Sequence, residues 1–155
     1  MNQSFDSLDR KILKELMLDA RQPVTEIARR VGLSKTPVAA RIRAMEESGL
    51  ITGYRATVSP LQLGLSHVSY VEVRLTDTRE TALRAFNEAV RMIESVEECY
   101  MIAGGFDYLL KVRSRDITEY RRIMAESISA LPYVSATSTY VAMEAVVEAS
   151  PVALD

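Results

Sequence analysis

The spacing of Gly32, Ser34 and Pro37 between two apolar-periodic stretches constrains this 155-residue chain more than any other feature. Glycine adopts a left-handed backbone at little cost, so Gly32 ends a helix over roughly Val24 to Val31. Ser34 is a strong N-cap for the next helix, and Pro37 falls in its first turn, where a missing N–H does no harm. That helix runs from about Lys35 to Ser48 and stops at Gly49. Ile27, Ala28 and Val31 form the buried stripe of the first, and Val38, Ile42 and Met45 that of the second. An earlier helix begins at Asp6 or Ser7, with Asp9 at its positive dipole end. Leu8, Ile12, Leu13, Leu16 and Met17 make its apolar face, and the polar run Asp19 to Pro23 stops it. Two helices joined by a tight Gly-containing turn, packed on a third, make a helix-turn-helix.

The surface of the third helix narrows its use. Thr36, Ala40, Arg43 and Glu47 lie opposite the buried stripe, with Lys35 and Arg41 on the flanks. Small residues near the start permit close approach to a major groove, and arginine reaches guanine edges or phosphates. Ser34 and the first free N–H groups can hold a phosphate. The candidate DNA-binding residues are therefore Ser34, Lys35, Thr36, Ala40, Arg41 and Arg43. An ordinary solvated face explains the same pattern equally well. Charge distribution tilts the balance: the overall net charge is −2, but residues 1–55 carry ten Lys+Arg against seven Asp+Glu, and the remainder nine against fourteen. A basic front on an acidic back suits a chain that meets phosphate with one half.

Beyond the helices, Leu50 to Val58 reads as a strand with a break at Thr52-Gly53, and Leu61 to Leu65 as a turn closed by Gly64. The period then changes. His67 to Leu75 alternates as a half-buried strand, with Val71, Val73 and Leu75 opposite Tyr70, Glu72 and Arg74. Arg79 to Ile93 returns to helical spacing through Leu83, Phe86, Val90 and Ile93. Val96 to Ala103 and Tyr108 to Arg113 pair as a hairpin around Gly104-Gly105-Phe106-Asp107. Ile117 to Leu131 is helical and Thr137 to Val147 is a final strand. Strand-helix-strand-strand-helix-strand is the ferredoxin-like order. Its helix-free sheet face carries Tyr70 or Val71, Leu109 or Leu110, and Tyr140 or Val141, depending on register. A face this apolar calls for a second copy, and a dimer also suits a reader of paired half-sites.

Composition excludes several classes. Hydrophobic residues at 48% and charged residues at 26% indicate a globular chain. No apolar run reaches the ~18 residues of a membrane helix, and Met1 to Asp6 lacks the order of a signal peptide. A cytoplasmic protein with no membrane partner is expected. One cysteine, Cys99, and one histidine, His67, exclude a disulfide framework and leave no metal cluster. Cys99 is expected as an inert buried thiol, His67 as exposed, the methionines as core filler, and Glu94, Glu97 and Glu98 as solvated. No nucleophile stands beside a base and no phosphate loop occurs, so neither an enzyme nor a cofactor is expected.

Taken in order, the motifs resemble the leucine-responsive regulatory protein and AsnC (Lrp/AsnC) family of bacterial and archaeal transcription regulators. Leu8-Asp9-Arg10-Lys11-Ile12-Leu13 is similar to the family's opening helix. Glu26 to Ser34 resembles its second helix and turn, and Arg41-Ile42-Arg43 with Glu46 to Ile51 its reading helix and exit. Cys99-Tyr100 with Gly104 to Tyr108, and Leu131-Pro132 with Thr137 and Thr139, resemble its second domain. The resemblance implies an α+β protein: a winged helix-turn-helix, then a ferredoxin-like βαββαβ domain of the RAM type, paired as a dimeric α/β sandwich. The implied divisions are 1–50 for the reader, 51–66 for a hinge strand and linker, and 67–155 for assembly and sensing. It further implies promoter DNA as partner, a homodimer assembling further, with an octamer common, and an amino acid effector in a cleft between dimers. Tyr100, Gly104, Gly105, Phe106, Asp107, Thr137 and Thr139 are the effector candidates. Glycine N–H groups can receive a carboxylate and a nearby carboxylate an ammonium. The same turn is also what a hairpin needs, with glycine at positive φ and aspartate bonding its own backbone. An architectural DNA-binding protein without effector is the alternative function. Tyr133 departs from the family, which usually has glycine after Leu-Pro, and a loop of different shape is expected there.

Overall fold

In the computed structural model, which describes residues 5–148, the chain divides into two compact units, one over 5–57 with 147–148 and one over 58–146. The first is built from three helices, α1 (Ser7–Leu18), α2 (Val24–Val31) and α3 (Lys35–Glu47). Asp6 starts α1 as a capping box. Its carboxylate accepts from the amides of Leu8 and Asp9, both at 2.8 Å, and Asp9 returns a bond to the Asp6 amide at 3.1 Å. Gly32 ends α2 at φ 74°, and the following Leu33 amide reaches back to the Ala28 carbonyl at 2.9 Å. The left-handed residue and this reach-back close the helix as expected for a glycine stop. Ile12, Ile27 and Val38 are fully enclosed, with Leu16, Ala28, Ile42 and Met45 around them. The predicted stripes of α2 and α3 enter this core, as do Ile12, Leu13 and Leu16 of α1, but Met17 is exposed and Leu8 lies outside it.

Residues 50–58 do not form a strand. The segment joins no sheet and is held to α3 by the Ile51 amide on the Met45 carbonyl (3.0 Å) and by the Tyr54 hydroxyl on Glu46 (2.8 Å). Alternation alone does not make a strand, because a strand needs an edge to bond to.

The second unit runs β1 (His67–Leu75), α4 (Glu80–Val90), β2 (Val96–Met101), β3 (Tyr108–Ser114), α5 (Ile117–Ile123) and β4 (Val134–Val141). A single π-helical turn, Met124–Ile128, extends α5. The sheet is antiparallel throughout, in the order β2-β3-β1-β4. The last strand begins and ends earlier than the sequence pattern suggested. Register settles the two faces. Val71 lies between Leu110 and Thr139, and Val73 between Tyr108 and Thr137. This side packs under α4 and α5 with Phe86, Val90, Tyr120, Ile128 and Leu131. Phe86 and Tyr108 rings meet at 4.3 Å.

The other face carries Tyr70 and Glu72, flanked by Lys111 and Leu109 on β3 and by Tyr140 and Ser138 on β4. It is therefore a mixed aromatic and charged surface, not the apolar one expected. His67 is also corrected. It is half-buried, with its ring 5.7 Å from that of Tyr120 and Nε2 3.1 Å from the Ser69 hydroxyl. Among the described residues, no helix is long and apolar enough to cross a membrane.

Candidate nucleic-acid interface and effector turn

On α3 the helical period decides which side chains face outward. Ser34 occupies the N-cap position, but its hydroxyl makes no capping bond. Ser34, Lys35, Thr36, Ala40 and Arg43 are all exposed. Neither Lys35 nor Arg43 has a carboxylate partner among the described residues, so two cations stand free on a face with small residues between them. Glu47, further along, is exposed on the same side.

Arg41 does not join them. Its Nη1 donates to Asp6 Oδ2 at 2.8 Å and to Asp9 Oδ1 at 2.7 Å, and its side chain is only 28% exposed. A flank position on the wheel left Arg41 free to turn either way, and two carboxylates at the start of α1 turned it inward. The Asp9 amide, and after it Arg41, hold the Asp6 carboxyl below the usual carboxylate range against the opposing effect of burial. The two carboxylates raise the Arg41 guanidinium still further.

The turn in the second unit is built differently from the expectation. Neither Gly104 nor Gly105 takes a positive φ. A Cβ at Gly105 would meet open space, and one at Gly104 would touch Ile102 Cγ2 at an ordinary 3.5 Å. Asp107 does not bond its own backbone. Its Oδ2 accepts from the Leu75 amide at 2.7 Å, while its own amide donates to the Val73 carbonyl at 2.9 Å. The carboxylate thus closes the end of β1, where the ladder runs out of acceptors.

The other effector candidates separate across the sheet. Thr137 and Thr139 lie on the helix-covered side, and the Thr139 hydroxyl shares a hydrogen bond with Tyr120 at 2.5 Å. Tyr100 lies on the opposite face, exposed, and donates to Glu98 at 2.9 Å. Phe106 is half-buried beside Asp107. One chain therefore does not gather these seven residues around a single point. A cleft of about 500 Å³ between α4 and β2, lined by Asn87, Arg91, Cys99 and Tyr108, includes none of them. Cys99 is half-buried there, and burial pushes its thiol up, which keeps it protonated and unreactive.

One feature escaped the sequence reading. Lys111 and Arg113 are almost fully buried, and both engage Glu97: Lys111 Nζ lies 3.2 Å from Oε2, and Arg113 grips both carboxylate oxygens. Burial alone would raise the Glu97 carboxyl, but hydrogen bonds from Arg113 and Lys111 outweigh it and hold it low. Arg113 also donates to the Leu65 carbonyl at 3.2 Å, which ties the turn before β1 to the sheet. Alternating cations on β3 opposite an acidic pair were the available signal. Tyr133, which the sequence marked as a departure in this loop, sits at φ 65°, a left-handed backbone with a tyrosine in it. Its carbonyl accepts from the Thr76 amide at 2.7 Å, which fixes that conformation.

Known proteins match both units. The model of the AsnC-type helix-turn-helix domain matches residues 5–46, and that of the Lrp/AsnC ligand binding domain matches residues 68–152. A proline dehydrogenase transcriptional activator of Rhodobacter capsulatus is 74% identical over 148 residues, covering 96% of each chain. The crystal structure of an AsnC family transcriptional regulator from Agrobacterium tumefaciens superposes with a TM-score of 0.90 at 33% identity, covering 96% of each chain. A feast or famine regulatory protein from M. tuberculosis, complexed with L-methionine, gives a TM-score of 0.86 at 27% identity, covering 96% of this chain and 98% of that one.

Proposed function

The chain belongs to the Lrp/AsnC family of transcription regulators, and from that premise we propose that it activates the gene of a proline dehydrogenase, with proline as its effector. The observation that carries the DNA-reading part is the exposed pair Lys35 and Arg43 on α3, without a carboxylate partner among the described residues and set among exposed Ser34, Thr36 and Ala40. Arginine at that position can bond guanine, lysine can neutralise phosphate, and the small residues let the helix approach the bases. Arg41 is left out of the reading face because Asp6 and Asp9 occupy it. The target gene is inferred from the activator 74% identical to this chain.

The effector part rests on the turn. Nothing in the chain's own fold demands glycine at 104 or 105, neither conformation nor space. Bare, exposed backbone then suits close approach by something outside the chain, such as an amino acid carboxylate received by the amides. Phe106 and Asp107 adjoin that position in the chain, while Tyr100 stands on one face of the sheet and Thr137 and Thr139 on the other. The methionine complex of the structurally similar regulator agrees with a small amino acid as the ligand class. The seven residues are divided between the two faces of one sheet, which suits a site completed by a second copy. The mixed face around Tyr70, Leu109 and Tyr140 is the surface proposed for the dimer, with dimers assembling further, and residues 1–50, 51–66 and 67–155 as reader, tether and sensor, acting in the cytoplasm.

Nuclease footprinting on the DNA preceding a proline dehydrogenase gene tests this reading. Protection that changes with L-proline, and that Lys35→Ala and Arg43→Ala erase, is the expected result. Absence of a footprint would reject the target. Protection indifferent to all twenty amino acids would instead favour an architectural protein.

A further inference from the structure

We infer that Arg41 acts as a positioning residue for DNA reading: clamped between Asp6 and Asp9, it sets the roll of α3 and thereby aims Lys35 and Arg43, without itself touching DNA. The inference rests on the reading of α3 as the DNA-contacting helix. Its basis is a closed network. Asp6 Oδ1 accepts from the amides of Leu8 and Asp9, and Asp9 Oδ2 accepts from the amide of Asp6. The two oxygens left over, Asp6 Oδ2 and Asp9 Oδ1, both accept from the single Arg41 Nη1 at 2.8 and 2.7 Å. Every carboxylate oxygen of the pair is used, and Asp9 is only 8% exposed. The cap of α1 and the flank of α3 are one structure.

The consequence for recognition is geometric. Val38, Ile42 and Met45 seat α3 on the apolar core through an attraction that is itself non-directional. Charge-assisted hydrogen bonds are directional and strong. A roll of roughly 20° would move side-chain atoms at the helix rim, about 6 Å from the axis, by roughly 2 Å. That exceeds the roughly 0.5 Å spread of good hydrogen-bond lengths. Bonds to base edges would be lost while loose contact with the phosphates persisted.

Binding titrations on two duplexes separate positioning from contact. One duplex is enriched from a random pool by the wild-type protein, and the other is its shuffled counterpart. Arg41→Met should lower the preference for the enriched duplex by about tenfold. Affinity for the shuffled duplex and the slope of log affinity against log salt should stay unchanged. Asp9→Asn should do the same, although removing a negative charge would otherwise strengthen DNA binding. Asp6→Asn, which keeps an oxygen for the cap, guards against loss of folding and should shift the preference in the same direction. Arg41→Lys should restore part of it. The inference is overturned if Arg41→Met lowers the salt slope by about one on both duplexes, the signature of a lost phosphate contact. It is equally overturned if Asp9→Asn tightens binding by freeing Arg41. Equal affinity of the wild type for both duplexes would instead reject the DNA-reading role of α3, and this inference with it.

Discussion

The outer face of α3 and the Gly104–Asp107 turn were both marked as binding surfaces, and the fold treats them in opposite ways. On α3 the marked side chains other than Arg41 are left free, since the helix satisfies its own backbone and its core stripe anchors it from beneath. At the turn, the marked carboxylate is spent on the fold, since Asp107 holds the Leu75 amide, and on β4 Thr139 is likewise tied to Tyr120. What the turn leaves exposed is backbone, at Gly104 and Gly105. A helix therefore offers function through side chains and this turn through main chain. Substitutions should separate the two. At α3 they should affect binding without affecting stability, and at Asp107 they should affect both.

The largest effect is expected at Asp107. Replacing it by alanine strands the Leu75 amide and removes a charge-assisted bond, with a cost of about 1.5–3 kcal/mol. Urea unfolding followed by tyrosine fluorescence would read this as a lower midpoint. An unchanged midpoint with lost amino acid binding would break the comparison, because the turn would then behave like α3. Arg43→Ala is the counterpart. Exposed and unpartnered, it should shift stability by no more than about 0.5 kcal/mol. Its loss of promoter affinity should be about 1–3 kcal/mol, with a smaller salt slope if Arg43 also meets phosphate.

The same contrast explains what the sequence could reveal. Gly32, Ser34 and Pro37 act within one or two turns of chain, so the three helices and their inner faces were legible to within a residue or two. Arg41 was misplaced because its partners lie 35 and 32 residues away, beyond any periodic argument. In the sheet, the order of elements was legible, but the open face was not. Placing Tyr70 beside Lys111 needs the register of β1 against β3, which no single strand encodes. The Glu97 cluster was hidden for the same reason: Glu97 on β2 meets Lys111 and Arg113 on β3 only once the register of the hairpin is set. Residues 50–58 misled by alternating like a strand without a neighbour to pair with.

Tyr133 offers a smaller test with the opposite sign. A left-handed backbone costs a residue with a Cβ roughly 1–2 kcal/mol, and Tyr133 holds φ 65°. Tyr133→Gly relieves that strain, although glycine also gives the unfolded chain about 0.4–1 kcal/mol of extra entropy. The variant should therefore be more stable by about 0.5 kcal/mol, read as a raised urea midpoint. A destabilised variant would show that contacts of the tyrosine ring outweigh the strain.

The smallest difference should appear on acidification, where the two units carry matched exposed pairs. Glu26 beside Arg29 and Arg30, and Glu119 beside Arg115, are each held at about 2. A carboxyl depressed in the folded chain contributes stability above its unfolded value near 4.5, and that contribution fades as pH falls toward about 2. These two groups should weaken both units alike, and by little, because exposed pairs are screened by water. Glu97 breaks the symmetry. Its carboxyl is also held low, and its protonation would leave the buried Lys111 and Arg113 without their shared acceptor. Losing a charge-assisted partner at a buried cation costs more than losing an exposed pair, so the sheet unit should lose its packing before the helical unit does, even though Lys111 keeps its contact with Glu98 and Arg113 its bond to the Leu65 carbonyl. Six of the seven tyrosines lie within 58–146, so near-ultraviolet dichroism reports mainly on the sheet. Its transition should precede the far-ultraviolet helical one as pH is lowered. Glu97→Gln should weaken the sheet at neutral pH but bring the two acid transitions together. Coincident transitions in the unaltered chain would mean that the remaining acceptors, Glu98 for Lys111 and the Leu65 carbonyl for Arg113, suffice without Glu97.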